Sequence, residues 1–317
     1  MDEPLVWARS IHFAAAISVA GGLLFLGLVA EPAFRKLDNA GRIPARTRFW
    51  VMWIAWLSLA ATVISGADWL VLKAAEMGDV PWQQAFSQDL VPMVLWGTDF
   101  GQDWIVRLML AALLALTLVA ARPARRFYRP ALAVSCVLSA ALVGALAWAG
   151  HAAATPGTLG TAHVASDILH LIAAAAWVGA LIPLALLLGA ALTCGDTASL
   201  GIAREAVHRF STLGIISVCG LLLTGIINTW AILGSPTALV GTDYGRLLVL
   251  KIALFLGMLS LAAVNRLRLT PVLLQKLNAG AASGALRRIR VHTIVEAALG
   301  FVILAIIGLL GTLSPSA

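Results

Sequence analysis

The chain has 317 residues, 61% of them hydrophobic and only 12% charged. A soluble domain of this length needs far more charge to cover its surface, so a soluble fold is excluded. The formal charge of +7 invites a nucleic-acid reading, but the basic residues sit between apolar blocks, where they set membrane topology and form no nucleic-acid site.

The apolar residues come in blocks of roughly 20 or more, the length that crosses a bilayer. Eight spans follow in chain order, at about 5–30, 47–72, 104–121, 129–150, 164–192, 207–233, 246–265 and 291–313. Span one carries Arg9 and His12. Its leader, MDEPLVWARS, is acidic and its apolar run is long, unlike a cleaved signal peptide. Span two opens at Arg48-Phe49, with Trp50, Trp53 and Trp56 at the inner face. An insert at about 78–94, including PWQQAFSQDLVPM, puts Trp82, Phe86, Leu90 and Met93 on one face of a helix lying on the membrane surface. GTDFG precedes span three, and span four ends at His151. Span five begins HVASDILH. Span six holds Ser217, Cys219, Thr224 and Asn228, GTDYG precedes span seven, and His292 and Glu296 lie in span eight.

Arg35, Lys36, Arg42, Arg46 and Arg48 fall between spans one and two, and Arg122, Arg125, Arg126 and Arg129 between three and four. Arg204 and Arg209 precede span six. Arg266, Arg268, Lys276, Arg287, Arg288 and Arg290 join spans seven and eight. These seventeen of the 22 basic residues share one side, which is therefore expected to be cytoplasmic, with both termini periplasmic. Trp7, Trp69, Trp104, Trp148 and Trp230 then read as an outer belt. Cys136, Cys194 and Cys219 form no CxxC pair, and their positions exclude a disulfide framework.

The sequence is written twice. GTDFG at 97–101 returns as GTDYG at 241–245, each followed by a base, Arg107 or Lys251, ten residues after its first glycine. Arg48-Phe49 matches Arg209-Phe210, and IHFAAAISVAGG matches LHLIAAAAWVGA, pairing His12 with His170 and Gly21 with Gly179. An all-α polytopic protein of two parallel four-helix repeats is expected, covering 1–157 and 158–317. Thr or Asp of each GTD motif suits a helix cap, and Arg107 and Lys251 can snorkel to the headgroups.

With the basic loops inside, His12, His170, His163, His151 and Asp167 gather near the outer face. His163, Asp167 and His170 stand at i, i+4 and i+7, on one helical face. Ionisable groups in a membrane usually mark a site or pathway, and neutral imidazole binds copper, zinc, iron and nickel. The plainer reading is a hydrogen-bonded helix end. Arg9 precedes His12 by three residues and Asp167 precedes His170 by three, so an axis joining spans one and five would pair Arg9 with Asp167 beside both imidazoles. His12 and His170 would then approach one ion from opposite sides, with His163 and His151 as entry ligands. The same two histidines suit the axial positions of a haem b, with Gly21, Gly22 and Gly179 giving room for a macrocycle or for close helix packing. A second polar set, Glu31, His208, His292 and Glu296, lies at the inner face, and Asn228 stands between the two levels. No Walker motif, nucleophile elbow or HExxH occurs, so ATP hydrolysis and protease chemistry have no support and no enzyme is expected.

RFSTLGIISVCGLLLTGIINTWAILGSP, GTDYGRLLVLKIALFLGMLSLAAVNR and HLIAAAAWVGALIPLAL together resemble the copper resistance protein D family, most strongly over about 163–268. The resemblance implies an eight-span inner-membrane protein that moves copper inward, partnered by a small periplasmic copper-binding protein. It places the metal on His170 and, through the repeat, on His12. Met77 and Met93 carry thioether sulfur that suits monovalent copper, but their spacing of sixteen residues matches no recognised methionine motif, and no copper site is expected there.

Overall fold

The computed structural model describes residues 3–37, 42–122, 126–150, 157–233, 238–274 and 279–314. Among the described residues, eight helices are long and apolar enough to cross a membrane. They are α1 (Glu3–Lys36), α2 (Ile43–Gly78), α3 (Asp99–Ala120), α4 (Tyr128–Ala149), α5 (Gly157–Cys194), α6 (Thr197–Leu233), α7 (Asp243–Leu274) and α8 (Gly280–Leu310). No strand occurs among the described residues. The chain is thus an all-α polytopic membrane protein. Most helices overrun the apolar blocks, because helical hydrogen bonding continues through polar turns such as Glu31–Lys36 after the hydrocarbon ends.

α1 and α5 are the most buried helices, and α6 and α7 the least. α1 packs on α2, α4, α5 and α8, and α5 also packs on α8, so residues from both halves build one core. The crossing of α1 and α5 is set by Gly21 and Gly179. A Cβ on Gly21 would overlap the backbone of Ala175 and Gly179, and one on Gly179 would come within 3.0 Å of the Gly21 Cα. These glycines therefore serve backbone contact, as small residues do where membrane helices meet. Gly21→Val should weaken the crossing by at least about 1–3 kcal/mol, the cost of overpacking a tight core. Gly22→Ala should be tolerated, since its Cβ meets only Val51 and Pro183 side chains at 3.8–4.0 Å. Thermal unfolding of the two variants in detergent separates these outcomes.

Among the described residues, three helices widen into π turns, at Phe25–Ala30, Ala175–Gly179 and Asn265–Leu269. Each lies just before a proline: Pro32, Pro183 and Pro271. Proline has no N–H to donate and its ring crowds the carbonyl four residues back, here that of Leu28, Gly179 or Leu267. All three carbonyls lie inside the widened turns, which relieve the clash without ending the helix.

The GTD motifs are helix caps. Thr98 and Thr242 have extended backbones, and their hydroxyls accept from the N–H groups of Gly101 and Gly245, both at 3.0 Å. The insert is not the single surface helix expected. A short turn at Trp82–Gln84 is followed by Asp89 with φ +55°, and only Leu90–Gly97 is helical. The broken backbone cannot hold Trp82, Phe86, Leu90 and Met93 on one stripe. Trp82, Phe86 and Met93 are exposed, whereas Leu90 packs on Gly78.

Candidate metal-entry site

His163, Asp167 and His170 share one face of α5, as their spacing requires, and line a cavity of about 540 Å³. Arg9 of α1, Asn228 of α6, and Tyr244 and Lys251 of α7 also line it. The rest of its wall is largely apolar, including Phe13, Trp177, Leu221 and Phe255. Asn228 donates from its amide nitrogen to Asp167 Oδ1 at 3.1 Å.

Thr224 fixes the state of the His170 ring. Its hydroxyl donates to the Gly220 carbonyl at 2.6 Å, so toward His170 Nδ1, 2.8 Å away, it can only accept. Nδ1 therefore carries the proton and Nε2 the lone pair, the arrangement a metal-ligating imidazole needs. Nε2 has no hydrogen-bond partner among the described residues.

His12 is anchored in the same way. Ser65 donates to the Ala61 carbonyl at 2.6 Å and accepts from His12 Nδ1 at 3.2 Å. The surroundings differ. Trp69 and Trp104 stand edge-on to the His12 ring, with centroids 5.5 and 5.7 Å away. Trp104 reaches this place because Gly66 of α2 has no side chain; a Cβ there would overlap the indole. Arg107 is buried, pairs with Asp103 one turn earlier, and lies 4.9 Å from the Trp104 ring centroid. Arg9 lies over Trp69 at 4.5 Å. His12 Nε2 is buried without a partner, but indoles fill the space around it and two guanidiniums oppose any cation.

The structure thus gives His12 and His170 separate surroundings: the cavity of His170 does not include His12 among its lining residues. Arg9 reaches that cavity yet makes no ion pair with Asp167 among the described residues; Trp69 and Asn228 are their respective partners. His163 is buried beside the cavity, and His151 lies outside the described residues. No three His, Cys, Asp or Glu side chains form a ready-made metal cage among the described residues. Met77 and Met93 are exposed. Trp69 and Trp104 are buried and leave the belt to Trp7, Trp148 and Trp230, because they pack around His12. Arg107 likewise faces inward instead of snorkelling.

The second polar set divides into three places. Glu31 accepts from Arg48 at 2.6 and 2.9 Å and from Tyr128 at 2.6 Å. His208 is exposed near Lys36, Glu205 and Arg209. His292 and Glu296 are joined by Asn265, whose amide nitrogen donates to Glu296 at 2.9 Å and whose oxygen accepts from His292 Nδ1 at 2.7 Å. Asn265 begins the π turn of α7. It was not among the residues singled out in sequence, although it is a polar side chain ending a long apolar run.

A family model described as copper resistance protein D-like, N-terminal domain, matches residues 1–161, and one for copper resistance protein D matches residues 204–310. The chain is 32% identical to copper resistance protein D of Pseudomonas syringae pv. tomato, over 99% of this chain and 98% of that one. The chain belongs to the copper resistance protein D family. It is also 32% identical to inner membrane protein YebZ of Escherichia coli (strain K12), over 97% of each chain. Copper transport protein CutJ of Bacillus subtilis (strain 168) is 31% identical over 76% of this chain and 43% of its own length. No solved structure matches the chain. The family models match both halves, including the α6 and α7 blocks that carried the resemblance in sequence, and the α5 block between them is spanned by the alignment to the Pseudomonas relative. A membrane role connected with copper follows from these relatives.

Proposed function

We propose that the chain is a carrier, not an enzyme, that moves copper as cargo from the periplasm to the cytoplasm. The observation that carries this reading is His170, held by Thr224 with its Nε2 lone pair free at a cavity shared with Asp167 and His163. Imidazole suits copper, and a site with few ligands can release what it binds. A full cage would hold the ion too firmly for passage. Asp167 beside the ring offsets part of the positive charge that Arg9 and Lys251 bring to the cavity. The neutral Nδ1–H tautomer means that copper need not displace a proton from Nε2.

In this reading the basic loops face the cytoplasm, so the cavity opens near the periplasmic side. A small periplasmic copper-binding protein would deliver the ion to His163 and then His170. The Glu296–Asn265–His292 group, near the opposite end of α7 and α8, would receive it before release.

Expression in a copper-limited host should raise cytoplasmic copper, measured by mass spectrometry of washed cells. Reporter fusions after Arg126 and Lys276 should report cytoplasm, and one near Gly157 should report periplasm. Unchanged copper in cells that contain folded protein, or a reversed fusion pattern, would overturn the inward reading.

A further inference from the structure

The cavity of His170 is also lined by two cations that contact no carboxylate among the described residues. Arg9 is buried and makes no hydrogen bond or ion pair among the described residues; its guanidinium only stacks on Trp69. Lys251 enters from α7 and makes no hydrogen bond or ion pair among the described residues either. The acids around them are engaged elsewhere: Asp103 by Arg107, Glu76 by Lys73, and Asp167 by Asn228. Within the lining, Arg9 and Lys251 face the single carboxylate of Asp167, so one further negative charge completes the balance. A buried guanidinium left without a counter-charge is costly, which makes an absent anion the natural partner.

The shape of the cavity says what kind of anion. α6 and α7 meet near their basic ends, where Arg266 donates to Ser211 at 2.6 Å, and scarcely touch elsewhere. The gap is edged by the exposed side chains of Leu222, Ile226, Ile252 and Leu256, so the cavity opens sideways toward lipid. In the first half, α2 and α3 do pack together, and Trp104 fills the space beside His12. The slot belongs to the second half.

Depth agrees with a headgroup. α1 has 34 residues, about 51 Å at 1.5 Å per residue, against roughly 30 Å of hydrocarbon. Each end then extends about 10 Å beyond the core if the helix is centred, and Arg9 is about 9 Å from its start. Its guanidinium therefore stands at the boundary between acyl chains and phosphates. A phosphodiester offers two unesterified oxygens to the fork of an arginine. The volume also lies within the range of ligand sites, roughly 300–1,000 Å³.

We propose that the slot between α6 and α7 holds an acyl chain of one anionic phospholipid, whose phosphodiester sits between Arg9 and Lys251. This goes beyond copper transport, and its readout needs no copper, so the two can fail separately. The test uses the full chain purified in mild detergent, with bound lipid identified by native mass spectrometry and then titrated with phosphatidylglycerol or phosphatidylethanolamine. The wild type should retain about one anionic phospholipid, and should bind phosphatidylglycerol roughly tenfold or more tightly than phosphatidylethanolamine, because both offer the phosphodiester but the ethanolamine ammonium brings a like charge against Arg9 and Lys251. Arg9→Gln and Lys251→Gln should each erase most of that preference, Arg9→Lys should keep it, and Ile226→Trp should weaken both lipids by filling the slot. If Arg9→Gln fails to fold, the wild-type preference and Lys251→Gln still decide. Equal binding of the two lipids by the wild type, an unchanged preference in Lys251→Gln, or retention of a free fatty acid in place of phospholipid would each overturn the proposal.

Discussion

His170→Ala should abolish specific copper binding by the purified protein, and Thr224→Val should weaken it by roughly 10- to 100-fold, the usual cost of losing the partner that orients a metal-binding histidine. The difference follows from what each change removes. Alanine deletes the Nε2 donor itself. Valine keeps the shape of Thr224 but removes the oxygen that accepts from Nδ1, so the ring can rotate and change tautomer. Thr224→Ser should restore most of the affinity, because it keeps that oxygen. His12→Ala should affect copper much less, since Trp69 and Trp104 stand edge-on to that ring and fill the space beside it. Equilibrium dialysis of folded variants gives the comparison. Loss of binding in His12→Ala with retention in His170→Ala would reverse the assignment of the site.

Asp103→Ala should destabilise the protein by about 3–5 kcal/mol, the range for stripping one partner from a buried ion pair. Asp103 is the acid that contacts Arg107, which is 1% exposed and already has Nε and one terminal nitrogen without partners. Without Asp103, two guanidiniums would remain near Trp69 with no carboxylate in contact. The double variant Asp103→Leu, Arg107→Met should recover much of the loss, because it removes both charges and keeps the volume. Thermal unfolding in detergent, with the double variant as reference, measures the coupling. An Asp103→Ala protein as stable as the wild type would show that the pair does not hold α3 against α1 and α2.

The eight helices were legible because a bilayer demands long apolar runs and leaves few alternatives. The shared face of His163, Asp167 and His170 was equally legible, being a matter of helical spacing. The helix ends were not: Glu31–Lys36 and Thr197–Val207 are too polar for an apolar window yet remain helical. The π turns had a signal in Pro32, Pro183 and Pro271, but proline alone does not distinguish a widened turn from a kink or a break.

Within the site, Ser65 and Thr224 are polar residues in apolar spans, and no local pattern indicates which histidine each would meet. That depends on helix rotation. The pairs His12–Ser65 and His170–Thr224 sit at nearly constant separation, whereas Trp69 and Trp230, each twenty residues after the matched Phe49 and Phe210, end in opposite environments. Trp69 is 1% exposed and Trp230 is 70% exposed. Matched letters do not ensure matched faces when the spacing shifts by two residues along a helix. The different filling of the two halves was hidden for the same reason. It depends on Trp104 crossing to Gly66, a long-range contact that no local pattern announces.

Copper flux into sealed proteoliposomes, without ATP, tests the central claim most directly when wild type and His170→Ala are compared at equal, verified protein content. The account predicts time-dependent copper entry with the wild type and only the rate of protein-free vesicles with His170→Ala. No entry with folded wild-type protein, or equal entry with both, would contradict it.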